Sequence, residues 1–252
     1  MVILIIAEKK SAALQLANAL DYSGKPREIK INSGVSYIEI QLFGTREKAF
    51  IASAAGHLYK LEAKGKRGAS PVFDFHWVQN KQNKYIYKYI KTIKDIISKT
   101  HVSEYIIATD LDLEGSVIGF NIVKFTCLKG KSSVKRVRDN SSRMEFSTLT
   151  KQEIRKAWQG RKKGLDCNRI KAGYARHWVD ILFGINLSKA LTDAVKSVSG
   201  RFQIFSMGRV QGPTLKAVYE RDEKIENHVP KKYWELDVIG KTTNKTISLA
   251  HI

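Results

Sequence analysis

The sequence predicts an α/β domain with a mainly parallel, Rossmann-like sheet, followed by a mostly helical domain and the beginning of a β domain. Three observations carry this. Buried apolar strands alternate with helical stretches over the first 140 or so residues, which is the pattern of strands joined by crossover helices. From Ser147 the periodicity becomes helical and stays so to Val195. Near the end, Tyr233 to Ile239 (YWELDVI) reads as a strand.

Taken in order, Val2 to Ala7 is β-branched and continuous, as in a strand covered on both faces. Ser11 to Leu20 forms helix readily and ends at an Asp-Tyr-Ser-Gly turn over Asp21 to Gly24. Residues 28–54 alternate apolar and polar in short pieces around Asn32-Ser33-Gly34 and Phe43-Gly44, so strands are expected there. Lys64 to Pro71 is a basic, glycine-rich loop. Over 84–99, Ile86, Tyr89, Ile90, Ile93, Ile96 and Ile97 recur at helical spacing opposite a face that is mostly lysine. Glu104 to Thr109 is another buried strand, 114–128 a helix, and Val134 to Arg138 a further strand. Thr150 and Glu153 form a capping box. Beyond it, Cys167, Ile170, Tyr174, Trp178, Ile181 and Leu182 form one apolar stripe.

Lysine and arginine number 44 against 24 acidic residues, a formal charge of +20, which points to a polyanionic partner: nucleic acid first, an anionic membrane surface second. No apolar run approaches the roughly 20 residues of a membrane helix. The apolar start meets Glu8-Lys9-Lys10 at once, unlike a signal peptide. Cys127 and Cys167 have no CxxC or Cys/His partner nearby, which argues against a zinc site and predicts the reduced thiols of a cytoplasmic protein.

The sharpest local signal is Thr109-Asp110-Leu111-Asp112-Leu113-Glu114-Gly115. Three carboxylates alternate where a buried strand ends, the position at which open α/β sheets build their sites. One reading is a calcium loop, but its twelfth position holds Asn121 and the preceding segment is β-like. A second is a helix cap at the helix beginning near Glu114. The third is a Mg²⁺ site, since hard oxygen ligands suit that ion. Glu8 favours the third: it also ends a buried strand, and two such strands in one parallel sheet bring Glu8, Asp110, Asp112 and Glu114 to the same edge.

A strand ending in Glu, followed much later by one ending in DxD, resembles the Toprim domain of topoisomerases, primases and some nucleases. Further motifs choose among these. Ala7 to Ser11 (AEKKS), Ser53 to Leu58 (SAAGHL), Val72 to Val78 (VFDFHWV) and Arg143 to Ile154 (RMEFSTLTKQEI) resemble segments of type IA DNA topoisomerases of the archaeal and topoisomerase III kind. So do Ala175 to Thr192 (ARHWVD…G.N…ALT), Ser206 to Leu215 (SMGRVQGPTL), Arg221 to Ile225 and Pro230 to Trp234. These motifs span almost the whole chain in the family's order. Lys10 and Leu113 depart from it, standing where the family has proline and a basic or polar residue.

The resemblance implies a Toprim domain over 1–146, a helical DNA-binding domain over 147–212 and the beginning of an arch domain over 213–252. It implies Mg²⁺ as cofactor, held by Asp110, Asp112 and Glu114 with Glu8 as a further ligand. Glu8 and Lys9 are then the groups beside the cleaved phosphodiester, and Arg169, Arg176, Asp180, Arg209, Gln211 and His57 face the DNA. Single-stranded or negatively supercoiled DNA is the implied partner, in a cytoplasmic, nucleoid-associated enzyme. From the residues alone, His57 reads as phosphate donor or structural histidine, and Arg176 with Asp180 as a groove pair or a surface ion pair. The family cuts one DNA strand with a tyrosine in a Tyr-Pro-Arg motif. No proline here follows a tyrosine, so that tyrosine is expected in a missing C-terminal part, the chain being truncated or one half of a split enzyme. Two rivals remain open: a stand-alone Toprim phosphotransferase (nuclease or primase), and a non-catalytic nucleic-acid-binding module.

Overall fold

Strand β1 (Val2–Ala7) is apolar on both sides, and in the computed structural model it occupies the middle of a seven-stranded sheet. The structure describes residues 2–32, 35–65, 70–81, 84–129, 133–235, 237–241 and 246–250, for the last two ranges the backbone only. The expected Ser33-Gly34 turn and the middle of the Lys64–Pro71 loop, residues 66–69, lie outside them. Chain contacts divide the protein into two units, Met1–Ser206 and Met207–Ile252.

In the first unit, α1 (Lys10–Leu20) follows β1 and stops at Asp21. The Asp21 carboxylate accepts from the backbone N–H groups of Lys25 and Gln41 and from the Ser23 hydroxyl, which makes the expected turn rigid. Strands β2 (Arg27–Ile29), β3 (Tyr37–Gln41) and β4 (Lys48–Ser53) come next, then a separate hairpin, β5 (Tyr59–Ala63) with β6 (Phe75–Gln79). Helix α2 (Lys84–Lys99) crosses to β7 (Val102–Ala108). Helix α3 (Leu113–Asn121) widens into a π-helical stretch over Ile122–Cys127. Then come α4 (Val134–Asp139), β8 (Ser141–Arg143), α5 (Lys151–Gln159), the two-residue β9 (Lys162–Lys163) and the long α6 (Cys167–Ser199). Thr150 caps α5 as the capping box requires, accepting from the Glu153 N–H.

The sheet order is β2-β3-β4-β1-β7-β8-β9. Its centre, β4-β1-β7-β8, is parallel, while β2, β3 and β9 pair antiparallel at the edges. The sheet thus has the parallel centre that a mainly parallel sheet was expected to have, with antiparallel strands at its edges. Because side chains alternate across a strand, β1 serves two cores. Ile3, Ile5 and Ala7 pack under α1 and α5, while Leu4 and Ile6 face α2, α3 and the start of α6.

The expected strand at Val134–Arg138 is instead α4. Ser133 caps it by accepting from the Arg136 N–H, and only Val137 is buried. The sheet takes its next strand from Ser141–Arg143, whose polar side chains gave no strand signal. They are satisfied inside the fold: Ser141 donates to the Val137 carbonyl and Ser142 pairs with Glu104. The second unit holds α7 (Gln211–Glu226) and the hairpin β10 (Asp237–Lys241) with β11 (Thr246–Ala250). The expected strand from Tyr233 begins only at Asp237, and Tyr233 and Trp234 are exposed.

Helix α6 docks on α3 through Gly173. A Cβ built there would stand 2.4 Å from Val117 Cγ2 and 3.0 Å from the Leu113 carbonyl oxygen. Overpacking at a backbone contact costs about 1–3 kcal/mol, so Gly173→Ala is expected to lower the free energy of urea unfolding by about that amount. A variant as stable as the wild type would show that α6 is not seated by this contact.

Candidate functional site

Parallel registers Ala7↔Ala108 and Ala7↔Ser53 align the C-terminal ends of β1, β7 and β4. Glu8 and Asp110 are thereby neighbours at one sheet edge, although far apart in sequence. A Glu8 carboxylate oxygen lies 3.3 Å from the Asp110 backbone N–H and accepts from it. Lys9 stands between the two acids, its Nζ 3.6 Å from Glu8 Oε1 and 3.6 Å from Asp110 Oδ2. Asp110, and then Glu8, hold the Lys9 ammonium above its ordinary pKa.

The backbone beneath Asp110 is fixed from below. Arg143, only 7% exposed, donates to the Thr109 hydroxyl at 2.6 Å and to the Asp110 carbonyl at 2.7 Å. Thr109 in turn donates to the Gly115 carbonyl at 2.6 Å. Gly115 is required, since a Cβ there would fall 2.2 Å from the Asp110 carbonyl oxygen. Burial lowers the Arg143 guanidinium to about 10, so it stays cationic at neutral pH. The sequence reading gave Arg143 no part in the site; its position one strand over, at the end of β8, is what brings it there.

The other two carboxylates diverge. Asp112 caps α3, its Oδ1 accepting from the Gly115 N–H at 2.6 Å, as the capping reading expects. Glu114 turns away from the edge toward α6. Its Oε2 is 2.9 Å from His57 Nε2, which bonds to it, and its Oε1 is 3.5 Å from Arg176 Nε. His177 Nε2 also lies 2.9 Å from Oε2, but off the line an N–H···O bond requires, so that buried nitrogen has no hydrogen-bond partner. Among the described residues, the one set of three ligand atoms close enough to share an ion is His57, Glu114 and His177, not the expected Asp110, Asp112 and Glu114. His177 had not been singled out from the sequence.

Of the residues expected to face DNA, Arg176 is 3.9 Å from Asp180 as well as beside Glu114, which joins that pair to the start of α3. His57 sits against Glu114 and edge-on to His177. Arg169 pairs with Asp166, the N-cap of α6, at 3.7 Å. Arg209 and Gln211 belong to the second unit, where Gln211 opens α7. Tyr174, half-buried, packs on Trp77, and Trp178, itself exposed, meets Phe75 edge-on, while Asn186 clamps the Val72 backbone at both its N–H and carbonyl.

Arg143→Gln is expected to cost about 2–3 kcal/mol in unfolding free energy, because buried hydrogen bonds from a charged donor are lost; a melting curve matching wild type would remove Arg143 from this role. His57 supplies a pH-dependent contribution. Burial first, then His177, push its pKa below the ordinary value, against Glu114. A histidine with a depressed folded pKa contributes stability that is full above its unfolded value and is lost as pH falls through the folded one. The melting temperature should therefore fall between about pH 7 and about pH 5, and fall less in His57→Gln. Equal falls in both would assign the effect to another group.

No helix among the described residues is long and apolar enough to cross a membrane. A family model described as Toprim domain matches residues 3–148, and one described as DNA topoisomerase matches residues 164–251. Curated relatives named DNA topoisomerase 1 are similar to the chain. That of Pyrococcus horikoshii is 40% identical over 242 residues, 94% of this chain and 33% of its own length. The Methanocaldococcus jannaschii protein is 40% identical over 252 residues, 98% of this chain and 31% of its own length. A more distant one, from Mycoplasma genitalium, is 26% identical over 211 residues. The chain thus spans about a third of the length of the first two.

Proposed function

The chain belongs to the DNA topoisomerases that carry a Toprim domain, and from that premise we propose that it supplies the acidic half-site and part of the single-strand groove of a type IA topoisomerase. The observation that supports this reading is the Glu8–Lys9–Asp110 edge, built by two parallel strands and braced by buried Arg143. The reaction is ATP-independent. A tyrosine hydroxyl attacks a DNA phosphodiester, a 5′-phosphotyrosyl bond forms, and the 3′-hydroxyl leaves. After strand passage the 3′-hydroxyl attacks the phosphotyrosyl bond and the tyrosine is released. We place that tyrosine outside residues 1–252, since no Tyr-Pro sequence occurs here.

In this scheme Lys9 stabilises charge on the phosphoryl oxygens, its ammonium kept protonated by Asp110 and Glu8. Glu8, at the same edge and only 13% exposed, holds Lys9 in place and is the nearest carboxylate to serve the leaving oxygen. The donor set fits Mg²⁺: Glu8, Asp110 and Asp112 offer oxygens alone at one sheet edge, and Glu114 stands in the first turn of α3. Bound there, the ion would neutralise phosphate charge. In the first unit, Arg169, Arg176 and Asp180 on α6 are assigned to DNA contact; in the second unit, Arg209 and Gln211 are assigned the same role on their own account.

The test mixes this chain with a polypeptide carrying the family's tyrosine domain and measures Mg²⁺-dependent relaxation of negatively supercoiled plasmid without ATP. Relaxation is expected with the wild type and should drop by about 10²-fold or more with Glu8→Gln. Metal-dependent degradation of DNA by this chain alone, without relaxation in the mixture, would instead identify a Toprim nuclease.

A further inference from the structure

The magnesium reading leaves His57, His177 and the inward turn of Glu114 unused. His57 lies in the loop after β4, Glu114 in the first turn of α3 and His177 in α6, so three separate segments converge on one carboxylate oxygen. Both imidazole Nε2 atoms are 2.9 Å from Glu114 Oε2. The ligand atoms of all three residues lie within 4.8 Å of one another, close enough for one ion to be shared after a small spreading of the side chains. The surroundings aim the ligands. The His57 and His177 rings meet edge-on with centroids 5.0 Å apart, and the Trp77 ring packs edge-on to His177 at 5.4 Å. Arg176 takes the other Glu114 oxygen, which leaves Oε2 as a single donor and resembles the outer-shell support of ligating carboxylates. The His177 Nε2 atom, buried and without a hydrogen-bond partner, is a lone pair or N–H that protein groups leave unanswered.

Two imidazoles and one carboxylate are a different donor set from the oxygen-only edge, and they favour a different ion. We propose that His57, Glu114 and His177 form a binding site for one borderline divalent transition-metal ion, of the zinc(II) or cobalt(II) class, distinct from the Glu8–Asp110–Asp112 edge. With three protein ligands the remaining positions go to water. The ion would tie the loop after β4, α3 and α6 together and so stabilise the first unit. It would also hold Glu114 away from the edge, setting this site in opposition to the magnesium role assigned to that residue; the binding itself does not depend on that assignment.

Cobalt(II) is the probe, because its visible d–d absorption reports nitrogen ligation directly. Titration of the untagged chain should give a band saturating at about one ion per chain, with a raised melting temperature. The band should survive excess Mg²⁺ and the Asp110→Asn/Asp112→Asn double substitution. Apparent affinity should fall at least about tenfold in His177→Gln and in His57→Gln, each checked by circular dichroism for an intact fold. If one histidine variant does not fold, the other decides. Absence of a band, a band of unchanged affinity in the folded histidine variants, or loss of the band with Mg²⁺ or with the double substitution would each overturn the proposal.

Discussion

The parallel pairing of β1 with β7 is the constraint on which the site depends. It is a pairing of β1, apolar throughout, with the apolar and buried end of β7 over Tyr105–Ala108, held by burial on both faces. Its consequence is chemical all the same: the chain leaves both strands at one edge, and the first residues after them are Glu8 and the Thr109-Asp110 pair. Two carboxylates in that position repel each other, and the fold offsets this with cations placed on different levels. Lys9 bridges them from solvent, and Arg143 grips the backbone from inside the sheet. A one-residue slip of β1 would turn Ile3, Ile5 and Ala7 to the wrong core, so packing of apolar side chains fixes where the carboxylates stand.

Glu114 is where the edge meets the rest of the unit. It begins the same helix that Asp112 caps, yet its side chain belongs to α6 through His57, Arg176 and His177. The close approach at Gly173 makes that reach short enough. One carboxylate therefore receives competing demands: from the acidic edge, where an oxygen ligand is wanted, and from α6, where it neutralises cationic and polar partners. A movement of α6 relative to α3 would shift that balance without altering any residue at the edge itself.

Much of this was legible in the sequence. Strand β1 was readable because it is a continuous apolar run, β7 because of its apolar end over Tyr105–Ala108, and α2 because its isoleucines repeat at helical spacing. Glu8, Asp110 and Asp112 were candidates because strand ends in parallel sheets are where sites form, and the structure brings Glu8 and Asp110 together at one edge. What could not be read came from polar residues and from long-range geometry. Ser141–Arg143 looks like a loop because its burial is sustained by hydrogen bonds rather than apolar area, and Val134–Arg138 looks like a strand because cap and periodicity compete over so short a segment. Arg143 and His177 acquire their roles only through the neighbours that β8 and α6 give them. The rotamer of Glu114 is likewise set by partners more than fifty positions away, which no local pattern encodes.

The net charge and the acidic edge bear on each other. A chain of +20 draws a polyanion to its surface from a distance, but the field of Glu8 and Asp110 opposes the last few ångströms of approach by a phosphate. Among the described residues, Lys9 is the one cation paired with these two carboxylates, Arg143 being spent on the Asp110 backbone, which leaves the edge short of positive charge. A site that must accept a phosphodiester there therefore needs a mobile cation to complete it, and oxygen donors at a strand terminus are selective for a hard one. This is the physical reason for assigning Mg²⁺ to the edge on the topoisomerase reading: the protein's fixed charges attract DNA, and the ion lets the reacting phosphate in.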